Sequence, residues 1–165
     1  RSGNLVNAPT WFTEVLPPHP LDGELWLGRA EFNRLSSIVR KDQPDDTEWR
    51  QVRYMLFELP NAPGTFSQRI EQMRHIVTQA RIPWLQVIEQ TRVQSRAELQ
   101  QRLAKILKQR GEGLMFYRQT DSACQLNAFR RPCLGGRFSP MNIGAVVFFS
   151  ALRELLSSGH LNTIQ

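Results

Sequence analysis

Leu21-Asp22-Gly23-Glu24-Leu25-Trp26-Leu27-Gly28-Arg29 is a strand-like run in which two carboxylates flank a glycine. Successive side chains on a strand point to opposite faces, so Asp22 and Glu24 share one face. Gly23 removes side-chain bulk between them and lets a ligand or a second backbone come close. Trp26 and Leu27 are apolar, and Gly28-Arg29 breaks the run before a basic helix. Two acids on one face of a permissive backbone suit a polar ligand, a metal or a ribose. A strand edge with solvated acids has the same pattern, so this stretch alone leaves both readings open.

Helical and strand periodicities surround this run. Before it, Pro9, Pro17, Pro18 and Pro20 oppose helix, leaving room for one short turn carrying Trp11, Phe12, Val15 and Leu16 and capped by Thr10. After a strand at 24–29, Phe32, Leu35, Ile38 and Val39 recur at helical spacing and predict a helix over 30–40. A polar turn with Pro44 follows, then a short helix over 46–51 with an acidic first turn. Residues 52–59 alternate as a strand. Tyr54, Leu56 and Glu58 are expected on one side, with Met55, Phe57 and Leu59 on the other. The Pro60 to Gly64 turn ends it. A long helix over 65–81 carries an apolar stripe of Phe66, Ile70, Met73, Ile76, Val77 and Ala80. A short strand over 84–89 leads to a second helix over 95–110. Ser95-Arg96-Ala97-Glu98 opens that helix as a capping box, and Gly111 stands where a C-cap glycine is expected. Residues 113–118 read as a further strand. Strands alternating with helices imply an α+β or α/β layer around a sheet.

The chain has 165 residues, enough for one domain with a real core. Its formal charge is +6 and its pI is about 10.1, with arginine supplying nearly all the basic residues. Arginine forks suit phosphates and stack on bases, which favours nucleic acid or nucleotide over metal storage. Cys124 and Cys133 are too few for a disulfide framework; free thiols are the preferred reading and pairing in an oxidising compartment the other. His19, His75 and His160 are scattered and form no metal-ligand spacing. The apolar run between Met141 and Leu156 is short and interrupted by Arg153 and Glu154, so no membrane partner is expected.

Leu21-Asp22-Gly23-Glu24-Leu25-Trp26 resembles the third of the ordered motifs of ATP-dependent DNA ligases. Three further stretches follow the same order. Arg1-Ser2-Gly3-Asn4 resembles the motif just after the nucleophile. Tyr54-Met55-Leu56-Phe57-Glu58-Leu59-Pro60 resembles the aromatic strand that packs on adenine, and Glu112-Gly113-Leu114-Met115-Phe116-Tyr117-Arg118 resembles the fourth motif. The likeness is to the small bacterial enzymes that often carry a periplasmic leader, and it covers residues 1–118. It implies an α+β, ATP-grasp-like nucleotidyltransferase (adenylation) domain, with antiparallel-rich sheets flanked by helices. The cofactors it implies are ATP and Mg²⁺, and the partner is nicked double-stranded DNA, sealed by a monomer in repair, replication or recombination. A periplasmic location is expected, with the cytoplasm as the alternative. The resemblance assigns Phe57 to adenine, Glu24 to the ribose or the metal-bound phosphate, and Glu112 to Mg²⁺. It gives Asp22 the task of holding the arginine that reads the nick phosphate, which maps to Arg1.

The sequence departs from the family in two places. The family's nucleophilic lysine lies in a Lys-x-Asp-Gly motif upstream of the position matched by Arg1, and these 165 residues contain no such motif. Lys41, Lys105 and Lys108 are the lysines present, and none lies in surroundings that activate an amine. No catalytic nucleophile is therefore assigned. Residues 119–165 change character. They lack the family's lysine-rich motif and the OB-fold that follows it, and the apolar run from Ile143 to Phe149 has no evident partner. This reads as a partial nucleotidyltransferase domain over 1–118 and a divergent tail over 119–165, from a fragment, a truncated product or a shifted frame. Two alternatives accompany the ligase reading: a non-catalytic nucleic-acid-binding remnant, and a relative of the mRNA-capping guanylyltransferases, which share the motif order.

Overall fold

The computed structural model describes residues 6–111, 113–118 and 143–149. Its centre is a three-stranded sheet in the order β1-β2-β3, built from Asp22–Trp26 (β1), Arg53–Glu58 (β2) and Leu85–Val87 (β3). β1 runs antiparallel to β2, and β2 runs parallel to β3. A second sheet pairs Gly113–Arg118 (β4) antiparallel with Ile143–Phe149 (β5). The apolar run that lacked a partner in the sequence thus has one, with Gly113 opposite Phe149 and Arg118 opposite Ile143. One mixed sheet and one antiparallel pair, with flanking helices, make this an α+β structure, one of the two classes the alternation implied.

Among the described residues, five helices accompany the strands: Thr10–Thr13 (α1), Phe32–Val39 (α2), Asp46–Trp49 (α3), Phe66–Ala80 (α4) and Arg96–Lys108 (α5). The caps explain most of the boundaries. Asp45 precedes α3 and accepts hydrogen bonds from the Thr47 and Glu48 backbone N–H groups at 2.8 and 3.1 Å. Thr65 opens α4 in a reciprocal box with Gln68. Two expected caps differ. α1 starts after Pro9, so Thr10 lies inside the helix and no side chain caps its start. At α5, Ser95 accepts from the Glu98 N–H as predicted, but the Glu98 carboxylate reaches back to the Gln94 N–H at 2.9 Å.

The end of α5 also differs from expectation. Arg110, not Gly111, takes the left-handed conformation, with φ of 61°. The Arg110 N–H donates to Leu107 O and the Gly111 N–H to Ile106 O, at 3.0 and 2.9 Å, which closes the helix in a Schellman arrangement. Gly111 is needed for space instead: a Cβ there would lie 2.5 Å from Ile106 Cγ2.

One core lies on the Tyr54/Leu56 side of the sheet. It joins Phe12, Leu25, Leu35, Ile38, Trp49, Val52, Met73 and Leu85. The proline-rich lead-in is fastened here: Phe12 stacks on Trp84 at 3.8 Å and meets Trp49 edge-on at 4.8 Å. Trp11 donates to Asp46 Oδ1 at 2.9 Å, with Arg50 over its ring. A second cluster of Phe57, Phe66, Ile70, Ile88 and Tyr117 lies on the other side and joins α4 and β4 to the sheet. Among the described residues, no helix is long and apolar enough to cross a membrane.

Candidate functional site

The second side of the sheet carries the acidic and aromatic residues singled out in the sequence. Asp22 pairs with Glu58 across β1 and β2, and Glu24 pairs with Met55. Direct cross-strand partners project from the same face. The register slips between Asp22 and Gly23: Gly23 pairs with Leu56, which leaves Phe57 as an extra residue on β2. The bulge brings Phe57 and Glu58 to the side that Met55, Asp22 and Glu24 already share. The expected alternation is therefore corrected at one place. Tyr54 and Leu56 face one side and Met55 and Phe57 the other, as read from the sequence, but Glu58 and Leu59 exchange sides, and Leu59 joins the first core.

Gly23 turns toward the opposite side. A Cβ at this position would lie 2.5 Å from the Met55 carbonyl oxygen and 2.9 Å from the Tyr54 ring. The close approach is made by the neighbouring strand and not by a ligand. Tyr54 in turn donates its hydroxyl to Leu21 O at 3.1 Å.

Glu58 is fixed by a residue that the periodicity assigned no role. Arg69 on α4 donates through Nε to Glu58 Oε1 at 2.7 Å and through Nη2 to Oε2 at 2.8 Å, with both side chains 1% exposed. Glu58 Oε1 also accepts from the Leu59 N–H at 2.9 Å. Arg69 Nη1 donates to Gly64 O at 2.8 Å, tying the turn after β2 to α4. Its guanidinium lies 5.7 Å from the centre of the Phe66 ring, and Phe66 stacks on Tyr117 at 4.2 Å. The signal for this pair was present in the sequence: Arg69 falls within the apolar stripe between Phe66, Ile70 and Met73, where a charge needs a buried partner.

Asp22 stands beside this locked carboxylate. Burial, and then the charge of Glu58, push its carboxyl from 3.8 up to about 6. The Tyr54 and Tyr117 hydroxyls are both pushed upward, first by burial and then by these carboxylates. Glu24 is buried, 2% exposed, and Phe57 is buried among the aromatic and aliphatic side chains of the second cluster. The structure thus brings Asp22, Glu24 and Phe57 together on one face. Arg1 and Glu112 lie outside the described residues. Among the described residues, no group of three or more His, Cys, Asp or Glu side chains could hold a metal ion. Asp22 and Glu24 are hard oxygen donors whose chemistry suits Mg²⁺, whereas Glu58 is committed to Arg69. Lys41 pairs with Glu48, and Lys105 and Lys108 are exposed on α5, so none of the three joins this face.

No protein-family model matches the chain. A DNA ligase from Haemophilus influenzae is 28% identical over 115 residues, covering 70% of this chain and 42% of that protein. A solved structure from a study of DNA binding with a minimal scaffold by Lig E DNA ligases matches with a TM-score of 0.65 and 27% identity, over 89% of this chain and 52% of that one. The chain spans about half the length of these relatives or less. In sequence and in structure it is similar to small bacterial DNA ligases, in agreement with the motif order.

Proposed function

We propose that this chain carries the nucleotide-facing part of an ATP-dependent DNA ligase. One observation carries the reading: Asp22, Glu24 and Phe57 share one face of the β1–β2 pair, in a chain similar to DNA ligases. In the full reaction a lysine attacks the α-phosphate of ATP and releases pyrophosphate. The AMP passes to the 5′-phosphate of a nick, and the 3′-hydroxyl displaces it. The residues of this chain bind and orient. Phe57 offers an aromatic surface to the adenine, Glu24 meets the ribose or the metal-bound phosphate, and Asp22 holds Arg1 toward the nick phosphate. Glu112, with the carboxylates of β1, would hold Mg²⁺, which offsets phosphate charge when bound. The 165 residues contain no Lys-x-Asp-Gly motif, so this chain by itself forms no covalent adduct with AMP.

A second reading is favoured by the net charge of +6, supplied nearly all by arginine: the chain binds nucleic acid without catalysing the reaction. Titration of a labelled nicked duplex at several salt concentrations, with ATP or GTP as competitor, tests both. Either reading predicts affinity that falls steeply as salt rises, because arginines displace counterions from phosphates. Competition by ATP and not GTP supports the ligase reading. Competition by GTP alone supports the guanylyltransferase alternative. Binding indifferent to salt contradicts a DNA-contacting role.

A further inference from the structure

Gln90 has both polar atoms of its side chain buried, and among the described residues neither Oε1 nor Nε2 has a hydrogen-bond partner. Folded proteins seldom leave a buried amide wholly unsatisfied, because both groups lose water and gain nothing. The position of Gln90 indicates what could satisfy it. β3 runs parallel to β2 with Val87 opposite Leu56, and the Ile88 N–H donates to Leu56 O at 2.8 Å. Ile88 then packs in the same cluster as Phe57. Gln90 follows two residues later, so its backbone lies within about 7 Å of Ile88. The unsatisfied amide therefore belongs to the segment by which the chain leaves the sheet just after Ile88, a neighbour of Phe57, past the carboxyl end of β3. A carboxamide presents one acceptor and one donor side by side. The edge of adenine presents the complement, a 6-amino donor next to a ring-nitrogen acceptor.

We propose that Gln90 reads the base of the bound nucleotide, with Oε1 accepting from the 6-amino group of adenine and Nε2 donating to the adjacent ring nitrogen. This rests on the reading of the Asp22–Glu24–Phe57 face as a nucleotide site. Phe57 supplies a surface that any purine can stack on, whereas Gln90 supplies the selection among purines. Trp49 also has an unpartnered buried N–H, but it lies in the first core among apolar side chains and offers no acceptor beside it.

The test measures equilibrium binding of ATP and of purine riboside triphosphate, which lacks the 6-amino group, to the full chain and to Gln90→Leu. Leucine is close in size and removes the two unsatisfied atoms, so the variant keeps its fold; Gln90→Met serves as a second apolar replacement. The unaltered chain should bind ATP roughly tenfold more tightly than purine riboside triphosphate, as expected for a paired buried contact. Both variants should bind the two nucleotides alike. Preference for ATP that survives in both variants overturns the proposal and leaves Gln90 a structural amide. Equal binding of the two nucleotides by the unaltered chain overturns it as well, while the nucleotide site stands. If the unaltered chain binds neither, the nucleotide site itself is wrong and the assignment of Gln90 falls with it.

Discussion

Arg69 grips Glu58 through both carboxylate oxygens, at 2.7 and 2.8 Å, where each side chain is only 1% exposed. The pair joins the end of β2 to α4 and sets where the bulged Phe57 stands. Two charges out of water are stable together because each meets the other and the remaining lone pairs and protons reach Leu59 N–H and Gly64 O.

Removing one partner should therefore cost far more than removing both. Arg69→Met leaves Glu58 charged and buried, and a loss of about 3–5 kcal/mol is expected. Glu58→Leu combined with Arg69→Met should recover most of it. Denaturant unfolding of the two variants checks this, and equal losses would show that packing and not charge is at stake.

Asp22 predicts a pH dependence with a definite sign. Its carboxyl is raised from 3.8 to about 6 by burial and then by Glu58. The folded state therefore holds the proton more tightly than the unfolded chain between these values, and stability falls as pH rises through that window. The size is on the order of 2–3 kcal/mol. Asp22→Asn should flatten the stability curve between pH 4 and about 6. Glu98 acts in the opposite sense, since its carboxyl is held below its usual range first by the Gln94 N–H and then by Arg102, and its contribution fades as pH falls. A curve in Asp22→Asn that still drops as pH rises from 4 to about 6 would assign the effect to another group.

Gly23 predicts a steric limit. Alanine there would put a methyl group 2.5 Å from the Met55 carbonyl oxygen, which belongs to the paired strand and cannot swing aside. Gly23→Ala should cost about 1–3 kcal/mol and disturb the β1–β2 register. A fully stable variant would mean that the strands can separate at the bulge without loss.

Phe57→Leu tests the base platform. Stacking of a base on an aromatic ring is worth about 1–3 kcal/mol, so ATP affinity should fall roughly 5- to 150-fold. Thermal unfolding of the same variant separates lost binding from lost packing, because Phe57 also belongs to the second cluster.

Much of this architecture was legible in the sequence because it rests on local signals. Apolar spacing marked α2, α4 and α5, alternation marked β2, and 113–118 read as a strand, each within a few residues of the observed ends. Non-local pairing was less legible. Nothing in the spacing of Tyr54 to Leu59 shows that Phe57 is an extra residue, because a bulge is defined by the partner strand. That single residue moved Glu58 to the face of Asp22 and made the Arg69 pair possible. The run Ile143–Phe149 lacked a visible partner for the same reason, since Gly113–Arg118 lies far away in sequence. Motif order singled out Asp22, Glu24 and Phe57, and the strand pairing brings the three to one face. Gln90 was not singled out, since a glutamine near the end of a strand carries no signal until the burial of its amide is known.

Labelled ATP offers the most direct test of the central claim, that the Asp22–Glu24–Phe57 face binds an adenine nucleotide. The full chain is incubated with labelled ATP and Mg²⁺, then divided between native equilibrium binding and denaturing electrophoresis, beside Glu24→Gln and Phe57→Leu. The account predicts label bound under native conditions, weakened in both variants, and no covalent band on the denaturing gel. Native binding that ignores both substitutions, or no binding at all, would contradict it, and a covalent band would show that one of Lys41, Lys105 and Lys108 is a nucleophile after all.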